Sequence, residues 1–252
     1  MSRFGDPAWG RARGGRLTLP ERAGVVVALL GKRLLARRGP QAPPPARPDL
    51  DLALPDSRLV RDALDHCAAE CAPDIVAHSI RCYAWGVLLA DRRELRFDRE
   101  ALATAALLHD IELGRTERRD GFACLCFACA GAEGARGFLQ ARAVEPDRVV
   151  RICDAIARHL NPDVAPRPYV ESHLLNAAAA LDVVGAGLGA LAPADRDRVL
   201  TAWPRGDFRR TMQTAMRREQ AAALTTRAGL LMQLGFGRLI ARAPFDDGPQ
   251  TG

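Results

Sequence analysis

The stretch that decides the fold is Ala105-Ala106-Leu107-Leu108-His109-Asp110-Ile111, an apolar helix-forming run that ends on a histidine and an aspartate. Leu102, Ala105, His109 and Leu113 repeat at three- and four-residue steps, the spacing of one buried helix face. The same pattern recurs on both sides. Before it, Ile75, His78, Cys82, Trp85 and Leu89 form one stripe. After it come Val149, Ile152, Ile156 and His159, and then Leu175, Ala178, Asp182 and Gly185. Four helices therefore aim a histidine or a carboxylate at what should be the core. A single core histidine needs only a hydrogen bond, but a buried carboxylate needs a cation, a set of donors or a shifted pKa. One divalent ion at the centre of a helical bundle satisfies all the inward groups together. Adjacent side chains on a helix diverge by about 100°, so His109 and Asp110 can share an ion only if it lies near the helix end.

Helix signals cover most of the remaining chain, and no strand alternation stands out. Segments open at Pro55-Asp56-Ser57 (running to about Cys71), at Pro73-Asp74 (to about Asp91) and at Asp98. A loop follows at 114–121, then helices over about 127–141, from Pro146 to before Asn161-Pro162, and over about 170–191. Two or three more are expected between Asp195 and Ile240. The expectation is an all-α bundle with a central metal site over 51–240, a basic and partly disordered extension over 1–50, and a tail over 241–252.

The formal charge of +6 is uneven. Residues 1–50 hold ten Lys/Arg against three Asp/Glu, and the proline-rich 39–48 reads as a linker or an extended strap. Glu21 to Arg38 reads as a basic amphipathic helix. Such a segment allows weak contact with an anionic surface but gives no strong nucleic-acid signal, and Lys32 is the only lysine, which fits a codon bias towards arginine. The longest apolar run, Ala23 to Leu30, is too short to span a bilayer and makes a poor signal peptide. Seven cysteines without a disulfide-like framework fit a reducing cytoplasm. Cys124, Cys126 and Cys129 read as small buried hydrophobes, a structural zinc being the other reading.

The order of these pieces resembles the HD-domain superfamily of metal-dependent phosphohydrolases, whose pattern is a His, a His-Asp pair and a distant Asp. His78 in HSIRCYAWG, His109-Asp110 in ALLHDIEL and Asp182 in AALDVVG carry the match. With GAEGARGFL (131–139) and DAIARHLNP (154–162), the stretch from about Leu54 to Gly185 is similar to the cyanamide hydratase-like branch. Glu112 and Ala128 stand where that branch carries a glycine and an acidic residue. The resemblance implies metal ligation by His78, His109, Asp110 and Asp182. The metal is a divalent ion, and this ligand set does not choose among Mn, Fe, Ni, Co, Zn and Mg. It also implies a hydrolase that uses a metal-activated water on a small-molecule substrate, a phosphate ester or nucleotide-like compound first, with water addition to a small nitrile-type compound as the alternative. A pocket with several arginines favours the first; a small dry pocket favours the second. A non-catalytic regulatory module worked by the basic tail is the third reading.

Within that scheme Asp110 is a catalytic or bridging carboxylate, and His159 is a proton-transfer group or a ligand to a second ion. Arg81, one turn after His78, is a candidate for holding an anionic substrate group. Glu112 is an extra carboxylate near the ion, a partner that orients a ligating histidine, or an exposed helix-end glutamate. His66 and His173 are set aside. A di-iron oxygenase variant needs a further inward histidine, which His173, half a turn out of phase with Asp182, fits poorly.

Overall fold

A computed structural model describes residues 3–35, 44–115 and 124–245. Among them lie twelve α-helices, one short 3-10 turn and no strand. The parts of the expected linker at 39–43, of the loop at 116–121 and of the tail at 246–252 fall outside the described residues.

Local signals place the central helices. Ser57 accepts a hydrogen bond from the Val60 amide and starts α3 (Arg58–Glu70); Pro73 opens α4 (Pro73–Arg92). Asp98 caps α5 (Arg99–Leu108), whose residues from Ala101 to Leu108 are all buried, as a helix apolar on every side must be. α6 (Phe127–Gln140) and α7 (Pro146–Arg158) follow. α8 (Val170–Val184) stops at Gly185 rather than running to 191. Gly185 has φ +72°, and a Cβ there would come within 2.4 Å of Pro244 Cδ. Four helices close the chain: α9 (Pro193–Ala202), α10 (Phe208–Ala222), α11 (Arg227–Gln233) and α12 (Phe236–Ala241).

Two apolar cores result. The larger is built from α3 to α9 and holds Trp85, Leu88, Leu102, Leu107, Ile152 and Leu175. The smaller joins α6, α10 and α11 to the N-terminal segment through Cys126, Phe127, Met212 and Met216.

The N-terminal residues correct an expectation. Residues 3–35 do not form a disordered extension: they fold into α1 (Pro7–Arg13) and α2 (Leu19–Leu35), and Trp9, Leu17 and Val25 are buried in the smaller core. Asp6 caps α1 by accepting from the Trp9 amide, Pro7 follows it, and Gly14 closes it with φ +58°. The Trp9 indole then donates to Glu21 at 2.7 Å, tying α1 to α2. Residues 44–50 form the strap, pinned to α9: Asp195 accepts from the Arg47 amide at 3.0 Å, and Arg198 donates to Leu50 O at 3.0 Å. At the other end, Ala243 and Phe245 pack into the larger core instead of starting a tail.

Candidate metal centre

Two helices end in the same way. His109 stands at the C-terminus of α5 and His159 at the C-terminus of α7, each one residue beyond its helix. The Nδ1 of His109 lies 2.6 Å from Ala106 O, and that of His159 lies 2.7 Å from Ile156 O, in both cases the carbonyl three residues back. A carbonyl can only accept, so each Nδ1 carries a hydrogen and each neutral ring presents its Nε2 lone pair. His78, in the second turn of α4, is fixed by a carboxylate instead: its Nδ1 lies 2.7 Å from Asp182 Oδ2. Its ring stacks on Phe208, with centroids 4.6 Å apart.

All three Nε2 atoms face Asp110. Asp110 Oδ2 is 3.5 Å from His78 Nε2 and 3.3 Å from His109 Nε2, and Oδ1 is 3.6 Å from His159 Nε2. All four side chains are buried. His109, Asp110 and His159 offer ligand atoms within 4.8 Å of one another, as do His78, Cys82 and His109. The C-terminal ends of two helix dipoles add negative potential beside a buried carboxylate. Fixed second nitrogens, lone pairs aimed at one carboxylate and negative helix ends together suit a divalent cation.

The charges support the same reading. Burial opposes ionisation of Asp110, but His109, His78 and His159 hold its carboxyl well below the usual range. Burial pulls His109 down, yet the Asp110 carboxylate more than offsets this and leaves it raised. His159 is pushed down to about 3 by burial and by His109, so its ring is neutral. Cys82, whose Sγ lies 3.6 Å from His78 Nε2, is raised well above its ordinary value by burial and by Asp182, and is a thiol.

The structure brings some of the expected ligands together and not others. His78, His109 and Asp110 come together, and His159 joins them. Asp182 does not: it sits on the Nδ1 edge of His78 while Asp110 faces the Nε2 edge. Its oxygens are already occupied, Oδ1 by Arg81 Nε (2.8 Å) and Trp85 Nε1 (2.7 Å), Oδ2 by His78 and Arg81 Nη2 (2.9 Å). Burial opposes its charge, but Arg81 and His78 hold the carboxyl well below the usual range. Asp182 thus stands behind a candidate ligand, on the edge of the His78 ring away from Asp110.

Arg81 needs correction for the same reason. It has no exposed surface, and its remaining nitrogen donates to Trp203 O (3.2 Å) and Pro204 O (3.0 Å), so four of its five N–H groups are committed within the protein. Glu112 is buried, not exposed, 3.9 Å from Arg115 and outside the histidine cluster. His173 also lies outside it, between Val164 O and Arg93. Arg205 and Phe208 escaped the sequence reading. Both are buried, and Arg205 donates to Asp182 O at 2.9 Å. Trp85 and Cys82 were on the His78 stripe, and their spacing was the available signal.

The cluster opens onto a cavity of about 680 Å³, lined by His78, His109, Asp110 and His159 together with apolar side chains.

Residues 75–203, just over half of the chain, match the HD domain family. The chain belongs to this family, whose members bind divalent metals and fall in a superfamily of metal-dependent hydrolases. The match contains every member of the cluster and excludes α1, α2, α3 and α10 to α12. No curated protein matches the chain.

Proposed function

We propose that the chain is a metal-dependent hydrolase whose ion is held by the Nε2 atoms of His78, His109 and His159 and by Asp110. The observation that carries this is the anchoring of all three imidazoles through Nδ1, which leaves three lone pairs turned to one ionised carboxylate. A divalent ion in that place supplies Lewis acidity: it lowers the pKa of a coordinated water and polarises an electrophile.

The protein groups supply the rest. Asp110 remains ionised and places one oxygen towards His78 and His109 and the other towards His159, so it can bind a cation or accept a proton on either side. His159, neutral and fixed by Ile156 O, offers its Nε2 lone pair as a ligand, and its low affinity for protons keeps that lone pair free. Asp182, clamped by Arg81 and Trp85, keeps the proton of His78 on Nδ1.

A phosphate ester or nucleotide-like compound and a small nitrile-type compound are the substrate classes implied by the sequence resemblance. The cavity has the signature of neither. Arg93 is the one arginine among its described lining residues, and the volume is far larger than a nitrile needs. The tail-driven binding module has less support, because residues 3–35 are packed on the domain instead of extending from it.

The test is a screen of purified protein, loaded in turn with Mn, Fe, Co, Ni, Zn and Mg, against phosphate esters, nucleotides, carboxylic esters, amides and nitriles. The expected result is metal-dependent turnover in one class, abolished by His109→Ala and by Asp110→Ala. Turnover that survives both substitutions would contradict the assignment.

A further inference from the structure

The cavity has two chemically distinct parts. Its polar end is the histidine–Asp110 cluster, contributed entirely by the HD segment. Its body is shared between the HD segment and helices outside it. α2 supplies Val26, Leu29 and Leu30, and α10 supplies Met212 and Met216. Leu231, Leu234, Phe236 and Leu239 come from the α11–α12 region, and all of these residues lie outside the HD match. From the HD segment come Ala179, Ala180, Val183 and Val184 of α8, together with Leu89, Leu113, Phe127 and Leu160.

Much of the other polar lining is already spent on the protein itself. Asn176 donates to His159 O and Asn161 O, and Asn161 donates to Phe4 O and accepts from Arg227. Arg93 meets His173 at 2.6 Å. Among the described lining residues outside the cluster, Arg93 and Asp163 are the charged ones, and the remaining wall is mostly apolar. A ligand with charges along its length would therefore lose water over most of that wall without gaining partners. A ligand with one polar end and an apolar body loses nothing of the kind. The size is that of a site for a drug-sized molecule. Two methionines give the wall side chains that repack around different apolar shapes.

Three of the lining leucines are also notably exposed: Leu30 at 52%, Leu239 at 43% and Leu234 at 36%. They mark where the apolar body meets solvent. Exposed leucines that also line a cavity suit an occupant whose hydrocarbon part reaches the surface.

Resting on the reading of the cluster as an open metal centre, we propose that the substrate is an amphiphile with a single polar reacting group and a hydrocarbon body, such as a medium-chain acyl or alkyl compound. The polar group lies at His78, His109, Asp110 and His159. The hydrocarbon runs between α2, α8, α10 and α12 towards Leu30, Leu234 and Leu239. The N-terminal helix α2 is then a specificity element, supplying a wall of the site from outside the HD segment.

Alkyl hydroxamates test this, since their head chelates a metal and their tail can be lengthened without altering the head. Affinities of acetohydroxamate, butyrohydroxamate, hexanohydroxamate and octanohydroxamate for the zinc-loaded full chain are measured by titration calorimetry. The expected result is tightening by up to about fourfold per added methylene, with Val26→Asp reducing the gain per methylene. Equal affinity along the series, with acetohydroxamate bound, would overturn the amphiphile proposal and leave the metal centre standing. Failure of every member to bind, acetohydroxamate included, would overturn the metal-centre reading and this proposal with it.

Discussion

Arg81 and Asp182 form a doubly bonded pair, Nε to Oδ1 at 2.8 Å and Nη2 to Oδ2 at 2.9 Å, at a place where neither side chain has any exposed surface. Removing one partner of such a pair leaves the other charge buried without compensation, which costs about 3–5 kcal/mol. Arg81→Met is therefore expected to lower the melting temperature markedly. Arg81→Lys should rescue little, because an ammonium cannot reproduce the two-point contact. Thermal melts check this. An unchanged melting temperature in Arg81→Met, with only KM raised, would restore the substrate-binding role expected from the sequence.

Asp182→Asn tests the division between ligand and orienting group. Loss of a carboxylate behind a metal-binding histidine typically weakens metal affinity by about tenfold to a hundredfold. Measurable weakened binding is expected for Asp182→Asn, and loss of binding for Asp110→Ala. Competition with a chromophoric chelator measures both. Equal and complete loss in the two variants would place Asp182 in the ligand set after all.

These two residues also show what the sequence could convey. Helical periodicity put His78, His109, His159 and Asp182 on inward faces, and all four are buried. Periodicity specifies a face, however, not a distance across a bundle. It could not show that Asp182 meets the far edge of the His78 ring, or that Arg81 is spent on Asp182. The starts of α4, α5 and α7 followed from Pro73, Asp98 and Pro146, which act locally. Arg205 and Phe208 were out of reach because they approach His78 and Asp182 only through tertiary packing. The folded state of residues 3–35 was half visible: the periodicity of Glu21 to Arg38 indicates a helix, which is α2, whereas α1 is a short helix with no such stripe. Burial of Trp9 against α6 and α11 depends on partners more than a hundred residues away.

Trp9 is the natural probe of that docking. It is buried, donates to Glu21, packs edge-on against Phe4 and lies under the Arg227 guanidinium, 5.3 Å from its ring centre. Trp9→Ala should cost about 3–5 kcal/mol, the usual range for truncating a large buried aromatic residue. The midpoint of urea unfolding reports it. A shift within experimental error would show that α1 does not contribute to the folded domain.

His159 makes a prediction about acid. Its folded pKa of about 3 lies below the ordinary 6.5, so as pH falls through this window the unfolded chain takes up a proton that the folded ring refuses. The contribution of neutral His159 is present above pH 6.5 and is lost progressively towards pH 3. His109, raised above 6.5, acts in the opposite sense: its contribution is full below 6.5 and is lost as pH rises through its folded value. In metal-free protein, His159→Gln should therefore flatten the fall in stability between pH 6.5 and acid. Urea melts at several pH values check this, and parallel pH profiles for the two proteins would refute it.

The most direct test of the whole account is anomalous diffraction from crystals grown with zinc or manganese. A single peak is expected within about 2.0–2.2 Å of the Nε2 atoms of His78, His109 and His159 and of an Asp110 oxygen, with Asp182 outside bonding distance. A peak bonded to Asp182 and remote from His159, or no peak at the cluster in fully loaded crystals, would contradict it.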